Sequence, residues 1–375
     1  MSTLTLTIEN RMNAMPFDRH FANLVKTAQS IFHHSVAHYR SQGLTYMDVP
    51  AIVGITGACE NVDTLFQVKN RCGIPLFFTQ TGQLALEQSL QYHDGMYTII
   101  HSGRDEEAED LRHLRQFRLT EEEFSCTMAG MSRETYDEDA MYEALLAHIQ
   151  NAVQSMIQGV MKENGEALAM VYGRNTARLE EAASTPFLRI SYEDALVLLK
   201  KHGYPDVRFG DDLKSEHEAA IVRLLNTQES ELPVFIMKYP KEIKFFNMKV
   251  SASDPRVVLS ADLILPYAGE AAGSAVREHE FEKLNERLLS SPMFQMHLAR
   301  GGTYEDFGWY LDIIKRQGTL PHAGYGIGNE RVIQYIFGER DIRNVSIFSL
   351  LNSQTGDYDP GRAAVPEALR IAVPI

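Results

Sequence analysis

The chain has 375 residues, 44 % hydrophobic and 23 % charged, enough to bury a full core in one large domain or two ordinary ones. Its 36 basic residues stand against 50 acidic ones, a net charge of −14. This excludes a protein that grips nucleic acid or an acidic membrane surface through a global positive field, and no apolar run approaches the ~20 residues that span a bilayer. The first twenty residues lack the charged start and apolar stretch of a signal peptide, so a cytoplasmic protein is expected. Cys59, Cys72 and Cys126 are too few and too scattered for a disulfide framework or a zinc set, and read as small buried hydrophobes.

Residues 1–17 read as a polar arm. An amphipathic helix begins at Asp18, with Phe21, Leu24, Val25, Ala28, Ile31, Phe32 and Val36 at helical spacing. It stops before a turn at Gly43, and Tyr46 to Val49 reads as a strand entering the core. From Pro75 to Ser102 a short apolar run (LFFT), a helix (QLALEQSL) and a strand (MYTIIHS) follow one another. A loop dense in both charges, Arg104 to Arg115, leads into the alternating strand Phe117 to Thr120. A second long helix is expected from Glu138 to Lys162, with Met141, Leu145, Ile149, Val153, Met156 and Val160 on its core face. Residues 163–185 are the least patterned stretch and read as a surface loop or small insertion. Ser191 to Asp194 resembles a capping box ahead of the helix ALVLLKK.

Strand-like runs come next: VFIM (234–237), IKFFNMKV (243–250) and VVLSADLIL (257–265). Helices near 278–290 and 304–316 precede a glycine-rich strand, GYGIG, and a closing helix, ERVIQYIFG. Mixed and alternating strand patterns, without a strict βα repeat, favour an antiparallel α+β domain over a doubly wound one. No internal repeat, low-complexity segment or linker divides the chain, so one domain is expected over 18–350, with a tail at 351–375.

Three groups carry candidate chemistry. In HAGYGIGNER (322–331), Gly324, Gly326 and Gly328 leave one strand face as bare backbone, against which a flat ring can lie. Arg331 then opens a helix with its guanidinium free to clamp a polyphosphate. A lone GxGxG is a weak signal, and it is not a dinucleotide fingerprint. The second group is Arg104, Glu106, Arg112, His113, Leu114 and Phe117, suited to a hairpin in which Arg104 neutralises an α-phosphate and Phe117 stacks on adenine. Taken alone, a solvated charged loop is the better reading. The third is Asp262, Glu270 and Arg277: strand carboxylates can hold Mg²⁺ against phosphates, and the arginine can pair with a substrate carboxylate. A structural ion pair serves equally well.

In this order, the three groups resemble the catalytic domain of the class II aminoacyl-tRNA synthetases, in the aspartyl, asparaginyl and lysyl subgroup. GRDEEAEDLRHLRQF is similar to that family's motif 2, and GYGIGNER to its motif 3. The nearest likeness is to the asparaginyl enzymes: TGQLALE resembles SGQLYLE, YPKEIKFFNMK resembles YPKEIKAFYMK, and LPHAGYGIGNER resembles PHGGFGLGFER. The resemblance runs from about residue 18 to 348. It implies an antiparallel sheet of six to seven strands flanked by helices, and a homodimer formed through the helix and strand at 18–52. It also implies ATP and Mg²⁺ as cofactors, and an enzyme-bound acyl adenylate.

By the same resemblance, Glu60 meets the α-amino group of an amino-acid substrate and Gln83 also contacts it. Glu270, with Asp262, would hold Mg²⁺ and ATP. Gly326, Gly328 and Glu330 belong to the nucleotide site, Arg331 lies on the γ-phosphate, and Arg277 faces the substrate side chain. Leu86 stands where aspartyl enzymes place a lysine, and Glu87 stands as in asparaginyl enzymes. Departures include Pro50, two positions upstream of the motif 1 proline, and Gln116 in place of an acid. Asn247 replaces a tyrosine, and WYLDIIKRQGTLPH carries one extra residue. The last two fall near the amino-acid pocket.

Only about seventeen residues precede the first helix, where a full synthetase carries an anticodon-reading β-barrel. The expectation is therefore a freestanding core, like archaeal asparagine synthetases. It would activate aspartate or an analogue and pass it to ammonia or a small amine, with no tRNA and no membrane as partner. The alternatives are acylation of a tRNA or carrier, and a non-catalytic amino-acid sensor.

Overall fold

Helix α1 (Arg19–Ser41) buries Phe21, Leu24 and Ile31 of the expected apolar stripe but leaves Val25 and Phe32 exposed. The computed structural model describes residues 19–54, 64–71, 73–106 and 110–347. The arm at 1–17, the tail at 351–375, Glu60, Cys59 and Cys72 therefore lie outside the described residues; Cys126 is buried and free. The turn at Gly43 delivers the chain to β1 (Thr45–Tyr46).

The main sheet has eight strands in the order β1-β4-β5-β10-β9-β8-β7-β6. Its six central strands are antiparallel: β4 (Gly95–Gly103), β5 (Gln116–Ser125), β10 (His322–Gly328), β9 (Gly269–Val276), β8 (Ser260–Leu265) and β7 (Val234–Met237). β1 and β6 (Leu188–Ser191) add a parallel strand at each edge, which corrects the expected count of six to seven. A separate hairpin pairs β2 (Ile52–Val53) with β3 (Phe77–Phe78).

Alternation along β5 divides the two faces of the sheet. Glu122 and Phe124 point to the helical layer, where His148 meets both. Phe117, Leu119, Glu121 and Glu123 point the other way, into a cavity. The helical layer consists of α1 and α3 (Glu138–Tyr172), and their buried side chains join the largest core cluster. Asp137 caps α3, its side chain accepting from the Ala140 amide, while Gly173 ends the helix in a left-handed turn.

Two local expectations are corrected. Residues 163–185 are not a loop: α3 continues to Tyr172, and α4 (Thr176–Ala182) follows, capped by Asn175. The stripe fades there because a buried asparagine, Asn164, occupies it and donates to Thr27 Oγ1 at 2.9 Å. Residues 243–250 form no strand. After a 3₁₀ turn at Lys241–Ile243 the segment crosses the end of the sheet, forming the isolated bridges Met248–Arg277 and Val250–Val258.

Two satellite layers frame the cavity. α5 (Tyr192–Lys201) starts at the anticipated cap, Ser191 Oγ accepting from the Asp194 amide at 3.0 Å, and packs with α6 (Ser215–Leu225). α7 (Phe281–Ser290), α8 (Pro292–Ala299) and α9 (Gly308–Gln317) share an apolar cluster with Leu84 of α2 (Gln83–Ser89) and with Phe246. α8, anchored by Ser291 and Pro292, lies between the two helices expected from the sequence. α10 (Asn329–Phe337) closes the core behind β10.

Candidate functional site

β10 runs between β5 and β9, with Gly324 opposite Glu123 and Gly326 opposite Glu121. The missing Cβ of Gly324 leaves room for the Glu123 carboxyl, while Gly326 and Gly328 border a cavity of about 570 Å³. All three candidate groups border it: Arg104, Glu106, Arg112, His113, Leu114 and Phe117 from the hairpin, Asp262, Glu270 and Arg277 from β8 and β9, and Gly326, Gly328, Glu330 and Arg331 from the last strand and helix. Gln83 lines it as well, while Glu87 lies just beneath.

At the hairpin end, the Arg104 amide donates to the Arg115 carbonyl at 2.9 Å, and the Arg104 guanidinium lies 5.9 Å from the centre of the Phe117 ring. Its Nε has no hydrogen-bond partner among the described residues. Arg112 pairs with Glu218 at 2.9 Å, and His113 turns outward to Asp110 at 3.0 Å. Glu330 accepts from the Arg118 amide at 3.0 Å. Arg331 donates to the carbonyls of Ala268 and, at 2.6 Å, Arg112, and burial lowers it to about 10. A ring face and bare strand backbone beside two guanidiniums are a shape and charge that could accommodate a nucleotide.

Across from the arginines lie carboxylates. The charge of Asp262, then burial, push Glu270 up to about 7, with Glu218 adding to the effect. A carboxyl raised by a neighbouring carboxylate is relieved by a hard cation, so the donor set fits Mg²⁺. Glu270 would hold it; Asp262 already accepts from Lys244 Nζ at 2.6 Å.

At the far end Arg277, only 4 % exposed, faces two glutamates. Its Nη2 and Nε donate to Glu123 at 2.5 and 3.1 Å, and Nε lies 3.8 Å from Glu87. Glu87 also accepts from Gln83 at 2.6 Å and Tyr310 at 2.6 Å, and pairs with His322 at 3.3 Å. Burial opposes the charge on Glu87, yet His322, Arg277 and Tyr310 together hold it at about 2. Burial, against Arg277 and with help from Glu87, pushes Glu123 up. By distance alone Glu87, Glu123 and His322 can surround a metal ion. Arg277 and Tyr310 already neutralise and bond these carboxylates, so the cluster reads as a side-chain pocket.

The sequence pattern gave no role to Glu121, Glu123 or Tyr310, nor to His322, although His322 opens the HAGYGIGNER motif. The two glutamates lay in a run of three whose outward members only strand alternation separates. Tyr310 arrives from α9, more than 200 positions from Glu87. Lys244 was visible only as part of the YPKEIKFFNMK likeness.

The sequence pattern of class II tRNA synthetases (D, K and N) matches residues 4–352. The structure is similar to asparaginyl-tRNA synthetase from Pyrococcus horikoshii complexed with asparaginyl-adenylate, at 27 % identity and a TM-score of 0.76, over 91 % of this chain and 71 % of that one. Two proteins from Entamoeba histolytica share the fold. Asparaginyl-tRNA synthetase in complex with asparaginyl-adenylate matches at 24 % identity and a TM-score of 0.73, over 91 % and 69 % of the two chains. Aspartyl tRNA synthetase matches at 19 % and 0.67, over 91 % and 60 %. With its sequence matched almost end to end, this chain belongs to the class II tRNA synthetases of the D, K and N group, a family of ATP-dependent ligases.

Proposed function

We propose that the chain uses ATP and Mg²⁺ to activate aspartate or a close analogue as an acyl adenylate, and passes the acyl group to ammonia or a small amine. The observation that carries the adenylation reading is the single cavity that joins a nucleotide-shaped slot, two guanidiniums, the Glu270–Asp262 pair and an enclosed ionic pocket. Attack of a carboxylate on an α-phosphate needs alignment and charge neutralisation rather than a covalent nucleophile. Arg104 would neutralise the α-phosphate and Arg331 the far phosphates. Bound Mg²⁺ would add positive charge beside Glu270. Glu60, outside the described residues, and Gln83 would orient the α-amino group.

Arg277 supports an acidic side chain, with Glu123 able to take up a proton and release its share of the guanidinium. Glu87, held ionised, is an acceptor for a side-chain amide and supports asparagine as the second reading. The net charge of −14 disfavours a polyanionic acceptor and supports ammonia or an amine over tRNA. A homodimer through α1 completes the proposal.

Amino-acid-dependent pyrophosphate exchange tests activation: exchange with aspartate or asparagine is expected, and none with any of the common amino acids would overturn it. Mass spectrometry after offering ATP, the amino acid, and ammonium or total tRNA tests the acceptor. An amide with release of AMP supports the proposal, and aminoacylated tRNA at a comparable rate overturns it.

A further inference from the structure

Arg331 has two supports, the helix that bears it and the turn that receives it, and both converge on one buried carboxylate outside the cavity. The β8–β9 turn presents the Ala268 carbonyl to Arg331. Beside it Tyr267 has φ of 69°, and Gly269 follows at 77°. Glycine takes that conformation freely, whereas for a tyrosine it is strained and persists only where the surroundings hold it.

Glu231 supplies the hold. Tyr267 Oη donates to its Oε1 at 2.5 Å, while Arg174 and Arg178 pair with the same carboxylate at 2.6 and 2.5 Å. Glu231 is 6 % exposed. The Arg174 guanidinium also lies 5.6 Å from the centre of the Tyr267 ring. The same arginine donates to the carbonyls of Ile336 at 3.1 Å and Tyr335 at 3.3 Å, at the C-terminal end of α10. Tyr335, one turn after Arg331, donates from its hydroxyl to the Glu231 carbonyl at 2.8 Å. The helix carrying Arg331 and the turn accepting from it are thus tied to one point.

We propose that Glu231, held by Arg174 and Arg178, is a positioning hub that acts through Tyr267 and the Ala268 carbonyl to aim Arg331 at the polyphosphate of the bound nucleotide. The proposal rests on the nucleotide reading of the cavity. None of the four hub residues borders the cavity, so each acts through Arg331 and none on the nucleotide itself. An ordinary turn staple would use the same bonds, but its loss would lower stability and leave nucleotide affinity alone.

Tyr267→Phe removes the hydroxyl and keeps the ring over Arg174. Calorimetric titration with Mg·ATP is made on the full chain, on Tyr267→Phe, on Arg331→Ala and on the double variant, with thermal unfolding of each. Losing a hydrogen bond to a charged group should weaken ATP binding about tenfold in Tyr267→Phe. It should add nothing further in the Arg331→Ala background, because the two changes remove one interaction. Unchanged ATP affinity in Tyr267→Phe, with or without a lower Tm, would overturn the proposal alone; so would an equal loss in both backgrounds. Wild-type affinity in Arg331→Ala, or no ATP binding by the unaltered chain, would overturn the nucleotide reading and the proposal with it.

Discussion

Glu121 lies at the floor of the cavity, accepting from the Thr81 hydroxyl and, at 2.7 Å, the Gly82 amide. Burial outweighs both bonds and pushes the carboxyl from 4.5 up to about 7. An acid whose folded value exceeds its unfolded one contributes stability below about 4.5 that is lost as the pH rises through about 7. Ionising it within the fold therefore costs about 3 kcal/mol. In urea unfolding across that window, Glu121→Gln should show a flatter decline than the unaltered chain; parallel curves would contradict this. Arg277 makes the complementary case. Arg277→Ala leaves Glu87 and Glu123 facing each other in a dry pocket and should destabilise the protein by about 3 kcal/mol at neutral pH. The loss should shrink in acid, where Glu123 takes up its proton, and amino-acid KM should rise. Equal loss at both pH values would count against the assigned charges.

Strand β10 shows how an element carries function through what it lacks. A Cβ at Gly324 would overlap the Glu123 carboxyl, whereas one at Gly326 would meet Glu121 at 3.4 Å, an ordinary contact. Gly324→Ala should therefore displace Glu123 from Arg277, lowering Tm and raising amino-acid KM. Gly326→Ala should keep its Tm and lose nucleotide affinity, because its methyl group would stand where the ring is expected to lie. Similar Tm losses in both variants would reject the contrast. The alternating glycines and the cap of α5 were visible in the sequence because each depends on residues a few positions apart. Ser191→Ala should cost about 1 kcal/mol in chemical denaturation. The continuation of α3 to Tyr172 was not visible: its buried face there carries Asn164, whose partner Thr27 lies 137 positions away.

For the whole molecule, the proposed homodimer depends on the surface that α1 exposes. α1 leaves Phe32 41 % and Val25 37 % exposed. If these residues meet a second copy, light scattering should give twice the chain mass, and Phe32→Glu should give a monomer that remains folded. A monomer before substitution, independent of concentration, would reject the dimer.

Local pattern and composition by themselves determined the α+β class, most helices and the central strands other than β9, whereas the three groups around the cavity stood out only when taken together as a family resemblance. Periodicity, caps and glycine spacing act over a few residues and are written directly in the chain. Tertiary structure alone decided which charges neutralise one another. Glu123 sits on Arg277 across 154 positions, and Tyr310 reaches Glu87 across 223. Arg174 and Arg178, in the stretch that carries the weakest pattern, meet Glu231 beneath the turn that receives Arg331. The state of a buried carboxylate depends on partners and dielectric that exist only after the sheet has formed. For that reason the sequence could name the candidate site residues, but their charges and fixed orientations had to come from the fold.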